Sequence, residues 1–163
     1  MTPCPGAVRR PARTAARPHL LPVLLLVLLL GLLWPVVTAR PAAARTGASI
    51  AVARLLNQER VAHGLPPLHV RDRLNQVAHQ QAERMADRAT LFHNPHLAAD
   101  VPGRWRWVGE NVGVGPDVRT VHAAFVESPG HRANMLDRDF DDVGTAAVRR
   151  GDRVWVVQVF RGW

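Results

Sequence analysis

Two histidines and a glutamate stand out because each lies beside turn-forming or glycine-rich residues. His93 sits in LFHNPH, Glu110 in WVGENVGVG, and His131 follows Ser-Pro-Gly in SPGHRANML. A loop or a helix start on a rigid scaffold can aim an imidazole into a cleft. Glycines let a backbone or a ligand approach closely. Two imidazoles and one carboxylate suit a divalent metal with water at an open position, zinc being the first choice. The same groups suit general acid–base work, with the carboxylate orienting one histidine. The chain has no HExxH and no CxxC, so spacing alone does not choose between these chemistries.

Each residue also has a plain structural use. His131 can hydrogen-bond backbone groups at the start of a helical turn, and Glu110 can cap a loop. Asn111 can fill a turn, and Asn134 can bond neighbouring backbone. Ser128 before Pro129 has the form of an N-cap followed by proline at the first helical position. A Ser128–His131 nucleophilic pair lacks a third orienting residue and an oxyanion signature. His63, His69, His79 and His122 read as helix or surface residues, and His96 shares a loop with His93.

The elements that must position these groups follow from periodicity. SIAVARLLNQERVAHG reads as a helix, with Ser49 as N-cap, Ile50, Ala53, Leu56 and Arg60 on one face, and Gly64 as its stop. Asp72 is placed to cap a second helix through about Arg88, with Leu74, Val77, Ala78, Ala82, Met85 and Ala86 inward. Residues 89–116, rich in Gly, Pro, Asn and Trp, read as loop and short strand. Asp117 to Glu127 reads as a third helix with Val118, Val121 and Phe125 inward, broken by SPG and followed by a further turn at HRANML. DDVGTAAVRRGDRVWVVQVF reads as two strands joined at a Gly-Asp turn. Helices first and a hairpin last predict an α+β domain whose sheet is covered by helices.

Residues 1–44 have a different character. Arg9, Arg10, Arg13 and Arg17 precede LLPVLLLVLLLGLLWPVV and then TARPAAA, the order of a secretory signal peptide. Cleavage fits after Ala39 or after Ala44. An uncleaved membrane anchor is the alternative, because the apolar run approaches spanning length, although Pro22, Gly31 and Pro35 interrupt it. Either way the arginines stay inside and residues 45–163 form a domain that faces out, secreted or anchored. Cys4 is the only cysteine and precedes the apolar run, so the exported part has no disulfide and no thiolate metal site.

The formal charge of +8 is carried largely by the leader. Five of the 21 arginines lie in residues 1–44, leaving 16 basic against 13 acidic residues beyond. No long basic run tracks phosphates there, so no nucleic-acid partner is expected. Membrane contact is expected only through the amino-terminal segment, if uncleaved. The absence of lysine and the abundance of Arg and Ala are those of a GC-rich, bacterial genome.

The ordered set LLNQERVAHGLPPL, LFHN, GENVGVG, FVESPGHRANML, FDDVGTA and VWVVQVF resembles the CAP superfamily. This is the SCP-like domain of cysteine-rich secretory proteins, insect venom antigens, plant pathogenesis-related proteins and many bacterial exported proteins. The version here is similar to the cysteine-free bacterial branch and covers nearly all of residues 50–163. The resemblance implies a three-layer α-β-α sandwich with a central antiparallel sheet. It also implies a cleft bearing two histidines and two glutamates, which binds a divalent metal in some members. By motif, His93, Glu110 and His131 take three of these places. The second glutamate is expected near Ser128, after the aromatic Phe125. Glu127 is one position off, a rotation of about 100° on a helix, so the tetrad reads as a triad.

The resemblance further implies an exported, non-catalytic domain binding a ligand, a lipid or sterol, or an extracellular or envelope partner. The alternative is a metal- or His/Glu-dependent hydrolase of peptide or cell-envelope polymer. In that case His93 and His131 would hold the metal or act as base, with Glu110 orienting. A purely structural surface module is the third reading. Trp105, Trp107 and Trp155 are candidates for apolar contact area or for core.

Overall fold

The computed structural model describes residues 47–163. The expected leader, its cleavage sites and the 44/45 domain boundary lie outside the described residues. The chain divides between Ala39 and Arg40, and every described residue belongs to the second unit.

The first helix, α1 (Gly47–Ala62), ends where Gly64 takes φ +71. Gly64 N–H donates to Val61 O and Leu65 N–H to Arg60 O, the double closure that a left-handed residue makes possible. Two expectations for this helix fail. Ser49 is not its cap, since the helix is already under way at Gly47. The Ser49 hydroxyl instead accepts from Ala147 N–H on the sheet. The buried stripe is Ser49, Val52, Ala53, Leu56 and Arg60, which leaves Ile50 48% exposed. Val52 and Ile50 both fit a helical rhythm, and packing against the sheet selects Val52.

Pro66 and Pro67 hold the chain extended, and Asn57 of α1 brackets Leu68 through both its backbone groups. A two-residue strand follows, β1 (His69–Val70), then α2 (Asp72–Arg88). Arg71 occupies the N-cap position, so Asp72 begins the helix rather than capping it. All six residues expected inward on α2 are buried. A short α3 (Leu97–Asp100) leads to β2 (Trp107–Gly115). This nine-residue strand is longer than the loop and short strand expected there. Its glycines disguise it: a Cβ at Gly113 would lie 2.7 Å from Val121 and 2.8 Å from Phe125. They admit α4 (Val118–Glu127); Asp117, read from sequence as the first helical residue, is instead its N-cap and accepts from Thr120 N–H. Ser128 and Pro129 open α5 (Pro129–Leu136), and β3 (Asp142–Arg150) and β4 (Arg153–Gly162) turn back at Gly151 and Asp152.

The fold is α+β, with helices on both faces of a four-stranded sheet of order β1-β3-β4-β2. Residues alternate across the sheet. Ala146, Val148, Trp155, Val157 and Val159 pack beneath α2, while Val143, Ala147, Val156 and Phe160 pack against α1, α4 and α5. Helices, sheet and helices make the three-layer sandwich that the resemblance implied. The sheet is not wholly antiparallel: β1 runs parallel to β3, pairing His69 with Asp142 and Val70 with Val143. The proline-stiffened link delivers β1 to that edge, and α2 follows it directly across the sheet. There α2 sits close, since a Cβ at Gly144 would fall on the Leu74 backbone. Among the described residues no helix is long and apolar enough to cross a membrane.

Candidate functional site

The edge strand β2 organises the site. Its pleat sends Glu110 to the α2 side and Asn111 to the α4–α5 side, so neighbouring residues serve both layers. Glu110 is buried, with its side chain only 2% exposed. Its Oε2 accepts from Asn94 N–H at 2.9 Å and from His93 Nδ1 at 2.8 Å. A carboxylate only accepts, so a neutral His93 carries its proton on Nδ1 and offers the Nε2 lone pair outward. The ring itself is exposed, at 64% of its side chain.

The loop bearing His93 is pinned from three sides. Gln81 of α2, fully buried, donates to Phe92 O at 2.6 Å. Asn94 donates to Asp100 of α3 at 2.9 Å and accepts from His96 N–H at 3.0 Å. His96, exposed beside α3, is held here by its backbone and stands apart from His93.

On the other side, Asn111 donates to His131 O and to Gln158 Oε1, both at 3.0 Å, and accepts from Asn134 at 2.9 Å. Asn134 also reaches Glu110 O at 3.3 Å. The two asparagines and Gln158 thereby fix α5 to the edge strand. Asn111 is a strand residue, not the turn residue expected. Gln158 was missed, although a lone amide in the apolar run VWVVQVF was a signal. The His131 ring lies against Phe125, with centroids 4.8 Å apart. Burial holds its pKa below the ordinary histidine value, and the nearby His93 lowers it further. Both effects favour the neutral ring.

His93 and Glu110 are in direct contact, and His131 is tied through its carbonyl to Asn111, the next residue of β2. Glu127 points to solvent at the end of α4. Ser128 lies half-buried at the α4–α5 joint, where its backbone N–H donates to Ala124 O and its hydroxyl makes no cap. Among the described residues no group of three or more His, Cys, Asp or Glu is placed to hold a metal ion. His93 Nδ1 and Glu110 Oε2 are turned on each other rather than on a common point. The expected zinc set His93, Glu110 and His131 therefore does not fit a metal as arranged. Four buried side-chain atoms among the described residues have no hydrogen-bond partner, and two of them, Glu110 Oε1 and His131 Nδ1, belong to this site; the others are on Arg84 and His122.

The cysteine-rich secretory protein family, CAP, matches residues 53–160, more than half of the chain. The chain belongs to this family. The uncharacterised protein YkwD of Bacillus subtilis is 28% identical over 115 residues, 66% of this chain and 44% of its own length. The chain thus spans less than half of that curated relative. An outer surface protein of Borrelia burgdorferi shares the fold at a TM-score of 0.66 and 17% identity, covering 73% of this chain and 95% of its own. An extracellular SCP-domain protein of Bacillus anthracis gives 0.64 and 24%, over 72% of this chain and 41% of its own.

Proposed function

We propose that this chain is an exported, non-catalytic binding domain. It takes a ligand, lipid or envelope partner at the cleft formed by His93, Glu110 and His131. The secretory leader read at residues 1–44 and the extracellular relatives support export. The observation that carries binding is the unpartnered, buried Glu110 Oε1. A buried polar atom left unsatisfied costs about 1–3 kcal/mol, and a ligand N–H or O–H at the cleft would relieve that cost.

The test follows the His131 and His93 ring protons by NMR during titration with a sterol, a fatty acid, soluble cell-wall fragments and zinc. At least one organic probe is expected to shift these signals in the wild type and not in Glu110→Gln. A panel that leaves both rings unmoved would sink this reading. Stoichiometric zinc binding lost in both His93→Ala and His131→Ala would replace it with a metal site.

The hydrolase alternative rests on one specific feature, the Glu110–His93 pair with Nε2 facing outward, which is the geometry of a general base. Digestion of peptide libraries and cell-wall polymer tests it: no turnover, or equal turnover by Glu110→Gln, removes Glu110 from any such mechanism.

A further inference from the structure

Strand register gathers arginines and indoles at one end of the sheet. Trp107 stands opposite Gly162, Asp142 opposite Arg161, and His69 opposite Asp142. The starts of β1 and β2 and the end of β4 therefore lie there, and the side chain of Arg71, just after β1, reaches back to Asp142. Arg71, Asp72, Arg73, Gly103, Arg161 and Trp163 are among the residues lining a pocket of about 350 Å³. The Arg161 guanidinium lies 4.4 Å from the Trp163 ring centroid. Arg104 and Arg106, both exposed, alternate with Trp105 and Trp107 in the sequence RWRW. Trp105 packs onto the core and anchors this segment, while Trp107 and Trp163 remain 51% and 54% exposed.

The charge at this end is positive. Arg71, Arg73, Arg104, Arg106, Arg138 and Arg161 stand against Asp72, Asp139, Asp141 and Asp142, six against four, a balance of +2. Asp142 is buried and satisfied by Arg71 and Arg161.

We propose that this end of the sheet docks the domain on an anionic phospholipid surface. Lipid phosphates would pair with Arg73 at the pocket and with Arg104 and Arg106, whose side chains have no partner among the described residues, with the Trp107 and Trp163 indoles at headgroup depth. Arginine pairs with phosphate through two parallel hydrogen bonds, and an indole places its apolar body and polar N–H at the membrane boundary. A soluble anion would use the pocket but not Trp107, which stands outside it on the sheet edge. The surface does not depend on the ligand-binding reading above. It adds a membrane contact beyond the one expected of the amino-terminal segment. Because β2 carries both Trp107 and Glu110, docking would hold the cleft about 10 Å from the headgroups.

Residues 40–163, a compact unit with its own two cores, avoid the apolar leader and suit the test. Co-sedimentation with phosphatidylglycerol–phosphatidylcholine vesicles is compared with phosphatidylcholine alone, at low and high salt. Binding is expected only to the anionic vesicles, weakening with salt. Brominated lipid should quench tryptophan emission. Arg104→Gln and Arg106→Gln should each weaken binding roughly fivefold, with unchanged thermal melting. Trp107→Ala should reduce both binding and quenching. Equal binding to neutral vesicles, no binding, or arginine variants that bind like wild type would overturn the proposal. So would full displacement by inorganic phosphate at matched ionic strength, which would show the pocket to be a site for a free anion.

Discussion

Glu110, closed off from solvent at the sheet edge, holds the exposed ring of His93 at 2.8 Å and the amide of Asn94 at 2.9 Å through one carboxylate oxygen. The position of His93 is therefore set by a residue on another element, seventeen positions away. Glu110→Ala should release the 92–94 loop, raising the exchange rate of the Asn94 amide at least about tenfold and costing roughly 2 kcal/mol of stability. Hydrogen exchange and urea unfolding measure the two effects. An unchanged Asn94 amide would show that Gln81 and Asp100 hold the loop without Glu110.

Asp142 gives the fold a defined acid sensitivity. Burial alone would raise its pKa, but hydrogen bonds from Arg161 and Arg71 outweigh burial and hold it below the usual carboxylate value. A carboxyl with a depressed folded pKa stabilises fully above its unfolded value near 3.9, and that stability is lost as pH falls through and below it. Asp142→Asn should be markedly less stable than wild type at pH 6. The gap should narrow as pH drops from about 4 toward 2. Urea midpoints across that range test it, and a gap independent of pH would contradict it.

Arg60 is almost wholly buried, donating to Pro66 O, Met135 O and Asp137 O at 2.8–2.9 Å. Burial lowers its pKa, with Asp137 and Asp141 opposing. Arg60→Met keeps much of the volume but strands three carbonyl groups. It should cost about 3 kcal/mol or more, read from chemical denaturation.

Ala89 ends α2 in the left-handed region at φ 47, with Ala89 N–H donating to Ala86 O and Thr90 N–H to Met85 O. An alanine pays for its Cβ there, and glycine does not. Ala89→Gly should raise stability by about 0.5–1 kcal/mol, less than the full steric relief because glycine loses more entropy on folding. A lower melting temperature would refute this.

Where one element decided its own shape, the sequence was legible. The six-residue apolar stripe of α2 and the Gly64 stop are local, and each lies where periodicity and cap chemistry put it. The positions that misled were settled by distant partners. Ser49 bonds a strand almost a hundred residues on, Val52 rather than Ile50 meets the sheet, and β2 hides behind glycines needed by α4. The candidate site divides in the same way. His93, Glu110 and His131 could be named from motifs, and the contact between the first two follows once β2 is in place. The amide set Asn111, Asn134 and Gln158 could not be assembled from spacing, because its members come from three elements. The failure of the three ligands to share one point is likewise a property of packing.

The edge strand carries a kinetic consequence. His93 is bonded to Glu110 of β2, and the His131 carbonyl accepts from Asn111 of the same strand, so both contacts depend on β2 being paired. Pairing β2 with β4 joins residues some fifty positions apart, among the slower contacts for a chain to close. During refolding, these two contacts should therefore be among the last to appear, and the histidine ring signals would time the completion of the sheet.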